Sequence, residues 1–431
     1  MRVLFATFAE KTHFIGMAPL GWALRTAGHD VRVASQPELA GIIADTGLTA
    51  VPVGRDHLLS QVLQWTRRLG PDQAPGFDLM ENRPEVLTWD HLRRGYRDVL
   101  LPLWWKVINE SMIDDLTEFC LSWRPDLVIW EPLTFAAPIA ARACGAAHGR
   151  LPFALDLTAR MRGHYLRVMG EQPPQERDDV LARWLGARVA RFGGEFAEEL
   201  AVGQFTIDYL PPSLRLDVDV RHVPMRYVPY NGRAIVPGWL RVPPERPRVC
   251  LSLGTSATDR LGAYAVSVQD LLDGLAELDV EVVATLPAGQ RAGLGRVPDN
   301  ARIVGYTPLH DLMPTCAAMI NHGGAGTVLT ALASGVPQLV VPHHMFDEPL
   351  LARRLAEAEA GVTIEPAEVS GDSVRKQVLR LLDDPSMGAG ARALREEMSA
   401  MPSPNEIVRE LEELAHGPRE AAGQTTLTSG V

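Results

Sequence analysis

The sequence predicts an α/β fold of two doubly wound, parallel-sheet domains facing each other across a cleft. Three observations predict it. Short apolar runs alternate with helical periodicity over residues 3–53, the same rhythm restarts at residue 248, and a proline-rich stretch lies between the two. At 431 residues the chain is too long for one compact core, and 46% apolar with 22% charged residues excludes wholesale disorder.

In the first half, residues 3–8 (VLFATF) suit a buried strand, and residues 15–27 carry a helical stripe ending at Gly28. Residues 30–34 give a second strand, 39–46 a helix closed by Gly47, and 49–53 a third strand, which makes a βαβαβ opening. Residues 126–130 (DLVIW), a helix over 135–144 and a strand over 148–153 extend the same sheet. Residues 54–119 and 163–194 break the rhythm. The first of these carries Trp65, Trp89, Trp104 and Trp105, which fit either helices covering the sheet or a binding surface.

Residues 227–247 hold too many prolines for regular elements and read as the interdomain connection. Strands follow at 248–253, 280–285, 302–304, 318–321 and 338–341, with closing helices over 388–401 and 405–415. The expected layout is therefore a domain over 1–226, the linker 227–247, a second domain over 248–400, a helix over 401–416 packing back on the first domain, and a tail over 417–431.

A net charge of −11 argues against a nucleic-acid-binding face. The chain has no apolar run near the roughly 18–20 residues that span a bilayer, and its start lacks the pattern of an export signal. A cytoplasmic protein is expected. The four cysteines are scattered without zinc spacing, so neither disulfides nor a structural metal are expected.

The most informative run is residues 321–327, Asn-His-Gly-Gly-Ala-Gly-Thr, between a strand and a helix over 327–333. Glycines there let backbone N–H groups approach a ligand, and a helix N-terminus favours an anion such as a diphosphate. The same glycines also suit a tight turn required by geometry alone. No Walker-type GxxxxGK[ST] loop occurs, and the first strand–helix turn lacks GxGxxG, which counts against nucleotide hydrolysis and dinucleotide oxidoreduction. Asp347 and Glu348 follow the strand over 338–341. They suit either sugar hydroxyls or the dipole of the helix they open.

Taken in order, HGGAGT, ALASGVPQLVVP and Asp347-Glu348 resemble the donor-site signature of family 1 nucleotide-sugar glycosyltransferases of the GT-B fold, which pairs two Rossmann-like domains. The opening FAEKTHFIGMAPLGWALRTAGHDVRVAS resembles their acceptor-domain start. DLVIWEPLTFAAPIAA, AVGQFTID, RYVPYNGRAIVPGWL and MPSPNEIV resemble one subgroup, the actinobacterial transferases that attach TDP-deoxysugars, often aminosugars, to macrolide or anthracycline aglycones. The likeness spans about residues 1–416 and is similar to the desosaminyltransferases.

The resemblance implies His13 as general base and Glu131 as the carboxylate that orients it. It implies a donor site built from Ser252, Thr255, Tyr306, Thr307, His322, Gly323, Gly324, Gly326, Thr327, Asp347 and Glu348. It further implies inverting transfer from a TDP-deoxysugar to a polyketide hydroxyl, with no metal and no cofactor. The implied partners are a haem-less activator related to haem monooxygenases, docked on residues 54–119, and a second copy forming a homodimer. Thr327-Val328 and the run over residues 345–349 (MFDEP) depart from the Ser-Trp and Trp of desosaminyl relatives, which leaves the sugar open. Two rival readings are a sugar-nucleotide epimerase of the same fold and a non-catalytic sugar-nucleotide-binding subunit.

Overall fold

Strands buried on both faces must be apolar along their length rather than alternating, and β1 (Arg2–Ala6), β4 (Leu127–Trp130) and β8 (Arg248–Ser252) are built so. The computed structural model describes residues 1–68, 76–254, 264, 266–344 and 346–417. Among these, the N-terminal sheet adds β2 (Asp30–Ser35), β3 (Thr49–Pro52), β5 (Ala147–Arg150), β6 (Thr206–Asp208) and β7 (His222–Pro224), in the order β3-β2-β1-β4-β5-β6-β7. The second sheet adds β9 (Glu281–Thr285), β10 (Ala301–Val304), β11 (Ala318–Asn321), β12 (Gln338–Val340) and β13 (Gly361–Thr363), in the order β10-β9-β8-β11-β12-β13. All pairings are parallel, so each lobe repeats the order 3-2-1-4-5-6 of a doubly wound sheet.

That order decides where ligands bind. Connections leave the first and fourth strands of each sheet in opposite directions, which opens a crevice at their C-terminal ends. In the first lobe β1 pairs with β4, Ala6 opposite Trp130, and in the second β8 pairs with β11, Ser252 opposite Asn321. His13, Glu131, His322 and the glycine run lie just beyond these ends and Ser252 closes β8, whereas Tyr306 and Thr307 follow β10 and Asp347 and Glu348 follow β12.

The helix expected over residues 15–27 spans Ala18–Thr26, and a separate short helix, Lys11–Ile15, precedes it. Pro19 explains the break, because it lacks an N–H and its ring crowds the carbonyl four residues earlier. His13 sits on the short helix that follows β1. Strands β6, β7 and β13 were not expected, since three residues are too few to display a period.

The lobes touch directly. Asp347 Oδ2 accepts the Leu155 N–H at 2.9 Å, the Ser213 N–H and hydroxyl reach the Glu397 carboxylate at 2.7 and 2.6 Å, and the Tyr227 hydroxyl donates to the Gly326 carbonyl at 3.2 Å. Helix Val408–Ala415 buries Leu411 and pairs Glu412 with His29 of the first lobe at 3.1 Å. No helix among the described residues is long and apolar enough to cross a membrane.

Candidate active site

Glu10 caps helix Lys11–Ile15 and starts it immediately after β1, which brings His13 beside the end of β4. There His13 Nδ1 lies 3.2 Å from Glu131 Oε1, although the two residues are 118 apart in sequence. The imidazole is 7% exposed and Glu131 is fully buried. The second carboxyl oxygen, Oε2, accepts from the Leu133 N–H at 3.0 Å and the Thr134 hydroxyl at 2.9 Å. Thr134 also accepts from the Phe8 N–H at 2.9 Å, so one residue fixes both strand ends. An ionised Glu131 only accepts, which assigns the proton to Nδ1 of His13 and leaves Nε2 as the basic nitrogen. The ring is wedged between Phe8, edge-on at 5.0 Å, and Phe153, stacked at 3.5 Å between centroids.

Next to this pair lies a cavity of about 470 Å³. Phe77, Tyr96, Leu100, Trp104, Trp105, Leu133, Phe135 and Leu181 line it, together with His344 and Phe346 of the second lobe. Leu133 contributes to the wall while its N–H holds Glu131, so cavity and pair adjoin. Half of the aromatic wall, Tyr96, Trp104 and Trp105, comes from the wide π-helix Gly95–Trp105. Pro102 within it removes a backbone donor, which a wider turn accommodates. Trp104 and Trp105 thus serve both core and cavity, whereas Trp65 is 52% exposed. Arg162 also lines the wall, neutralised by Asp179 and Glu198 at 2.6 and 2.7 Å. A larger groove of about 660 Å³ lies at the opposite end of the sheet, around His148, away from the pair.

Across the cleft, Asn321 ends β11 and its Oδ1 accepts the Gly323 N–H at 2.8 Å, an Asx turn that sets the glycine run. Gln338 holds the Asn321 amide at 2.8 Å. Gly323 has φ +90°, a conformation that suits glycine. Gly324 precedes helix Ala325–Ala333 and has no side chain to cap it; the Thr327 N–H turns back to the Gly324 carbonyl at 3.0 Å, which leaves the N–H groups of Ala325 and Gly326 for a ligand or water. His322 is gripped by backbone on two sides. A Cβ on Gly254 would fall 2.6 Å from its ring, and one on Gly324 would fall 2.4 Å away. Burial, reinforced by His343, pushes its pKa down to about 4, so at neutral pH the imidazole is an uncharged hydrogen-bonding group. Its Nδ1 has no hydrogen-bond partner among the described residues.

The other candidates are spread around this turn. The Ser252 hydroxyl accepts from Thr285 at 2.8 Å, and Thr307 is buried. Tyr306 is 62% exposed and its hydroxyl donates to the Asn231 carbonyl of the connecting segment. Thr255 lies outside the described residues. Glu348 accepts the Phe346 N–H at 2.7 Å, and its Cβ would meet a Cβ placed on Gly323 at 2.8 Å, which seats it against the glycine turn.

Asp347 is only 3% exposed, and one of its oxygens is committed to Leu155. Burial, with Glu348 adding to it, pushes its pKa up to about 7 from an ordinary 3.8. The folded chain therefore holds this proton more tightly than the unfolded chain. The associated stability is complete below about pH 4 and is lost as pH rises through about 7. Asp347→Asn should abolish that component. Urea midpoints of wild type should fall relative to the variant between pH 4 and 7, and parallel midpoint curves would contradict the assignment.

Sequence reasoning missed Thr134, Phe153, Asn321 and Gln338 as site-forming residues. Only Asn321 left a local signal, the Asn-x-Gly spacing of an Asx turn. Among the described residues, no group of three or more His, Cys, Asp or Glu is placed to hold a metal ion.

Comparison with known proteins gives this geometry a family. Residues 22–254 match the N-terminal domain, and residues 269–414 the C-terminal domain, of the erythromycin biosynthesis protein CIII-like family. The chain is 48% identical to the 10-deoxymethynolide desosaminyltransferase of Streptomyces venezuelae, over 96% of this chain and 97% of that protein. It is 47% identical to the aclacinomycin-T 2-deoxy-L-fucose transferase of Streptomyces galilaeus, over 98% of both. The crystal structure of the glycosyltransferase VinC in complex with dTDP superposes with a TM-score of 0.86 at 41% identity, covering 96% of this chain and 99% of that one. Two facing parallel sheets, a His–Glu pair beside an aromatic cavity and a glycine turn across the cleft thus occur in a chain that belongs to the erythromycin biosynthesis protein CIII-like family of GT-B glycosyltransferases.

Proposed function

We propose that the chain transfers a deoxysugar, of the aminodeoxysugar class, from a TDP-sugar to a hydroxyl of a macrolide or anthracycline aglycone, with inversion at the anomeric carbon. The observation that carries this reading is the His13–Glu131 pair beside a large aromatic cavity to whose lining the second lobe contributes His344 and Phe346. An apolar polycyclic or macrocyclic alcohol suits such walls. A sugar-nucleotide epimerase has no use for them, and a purely binding subunit has no use for an oriented imidazole.

In the proposed step, His13 Nε2 takes the acceptor hydroxyl's proton as its oxygen attacks C1 of the sugar from the face opposite the diphosphate. The C1–O bond breaks and TDP leaves with the electron pair. Glu131 holds the imidazole in its productive tautomer and balances the imidazolium that forms. The charge growing on the diphosphate is met by the N–H groups of Gly324, Ala325 and Gly326 and a neutral His322 donor. The reading assigns this role to backbone dipoles rather than to a metal. Similarity to a desosaminyltransferase and to a 2-deoxy-L-fucose transferase supports a deoxysugar donor, and the first of them, whose sugar carries an amino group, supports the aminodeoxysugar class.

The reading places the reaction in the cytoplasm and does not require a homodimer. It includes an activating protein on residues 54–119, where Leu58 and Trp65 are 56% and 52% exposed. Incubating the purified chain with TDP-deoxysugars and macrolide or anthracycline aglycones, with and without an activator, tests it. A glycoside of inverted anomeric configuration is expected. Retained configuration, or epimerised free sugar nucleotide without aglycone, would contradict it, and full turnover alone would remove the activator.

A further inference from the structure

One short segment, residues 151–156, touches both halves of the site. Phe153 lies face to face with the His13 imidazole, 3.5 Å between centroids and 14° between planes. Phe346, one residue before the donor-lobe carboxylate Asp347, sits 5.3 Å from the same Phe153 ring. Two residues on, the Leu155 N–H donates to Asp347 Oδ2 at 2.9 Å. The second lobe therefore grips this segment through one ring and one hydrogen bond, and the segment lies against the base.

The segment is anchored at both ends. Its first residue, Leu151, donates its N–H to the Trp130 carbonyl at 2.9 Å, beside Glu131. At the far end Asp156 caps helix Leu157–Gly170 through the Ala159 N–H at 3.0 Å. The same carboxylate takes two bonds, at 3.1 and 2.6 Å, from the fully buried Arg150, which also donates to Thr206 at 2.9 Å. Breaking such a buried pair is costly, so the clamp keeps its geometry and fixes the far end of the segment.

We propose that Phe153 is a positioning residue that transmits the placement of the donor-lobe loop, through Phe346, to the plane of the His13 ring. This rests on the proposed function for its catalytic consequence, but the structural linkage can be tested without it. Nε2 of His13 must point along the acceptor O–H to take its proton. Glu131 fixes one ring atom, and a stacked neighbour fixes the rotation about that contact. Displacing a reacting group by about 1 Å can cost about 100-fold in rate. When donor contacts settle residues 346–348, Phe346 presses on Phe153, and the base is aligned only while the donor loop is in place.

The test has two arms on the full chain. In the first, histidine ring signals are followed by NMR without ligand, and His13 is assigned from a His13→Gln sample. Phe346→Leu should move the His13 signals, and the same substitution should leave them unmoved when Phe153 is already Leu. No movement, or equal movement in both backgrounds, overturns the proposal. In the second arm, Phe153→Leu should lower kcat about 10- to 100-fold, while the aglycone KM and the TDP Kd stay within about threefold, and Phe153→Tyr should restore most of the rate. An unchanged kcat overturns the proposal, as does a parallel loss of TDP binding. Should the wild-type chain transfer no sugar while the first arm behaves as stated, the proposed function falls and the linkage stands.

Discussion

Replacing His13 with Ala should lower turnover by about 100- to 10,000-fold, the range supplied by a positioned general base. The effect should fall on kcat, because the imidazole lies on the acceptor side of the cleft, held by Glu131, Phe8 and Phe153 of the first lobe. Glu131 has two further hydrogen bonds to Leu133 and Thr134, so its position does not depend on His13 and the variant should fold. Calorimetry with TDP checks that part of the expectation. A binding constant within about threefold of wild type, together with lost transfer, assigns the base. Unchanged transfer removes it.

The second large effect belongs to the glycine turn. In Gly324→Ala the new methyl would lie 2.4 Å from His322 Nε2 and 2.8 Å from its Cε1, and the ring cannot retreat because Gly254 closes the other side. Either the imidazole or the start of helix Ala325–Ala333 must shift, and both face the proposed diphosphate. Losing one or two charge-assisted hydrogen bonds at about 1.5–3 kcal/mol corresponds to a fall in TDP affinity of at least about tenfold. The overpacking itself costs about 1–3 kcal/mol of stability, so thermal unfolding should be recorded alongside. TDP binding unchanged in a folded Gly324→Ala chain would exclude the turn from the diphosphate site.

The two lobes were legible in the sequence because buried parallel strands are continuous apolar runs of four or five residues, as in LVIW and RVCLS. The three-residue strands β6, β7 and β13 were not, and the helix carrying His13, little more than one turn long, lies ahead of the periodic stretch over 15–27. Residues at the ends of β1, β4 and β11 could be singled out because ligands gather at strand ends and because their motifs resemble a known family. Phe153 could not. Its importance comes from stacking on a ring far away in the chain, and no local period encodes such a contact. Asp347 shows the opposite limit: its place at a strand end was legible, but its bond to Leu155 of the other lobe was not.

The central claim is that one cleft holds an activated sugar's diphosphate on the 323–327 turn and the acceptor alcohol at His13. A crystal structure of the chain with TDP and an aglycone tests it most directly. The account predicts phosphate oxygens within hydrogen-bond distance of the turn's N–H groups and His322, the aglycone among Tyr96, Trp104 and Trp105, and one hydroxyl at His13 Nε2. A diphosphate bound away from the turn, or an aglycone outside the aromatic cavity, would contradict it.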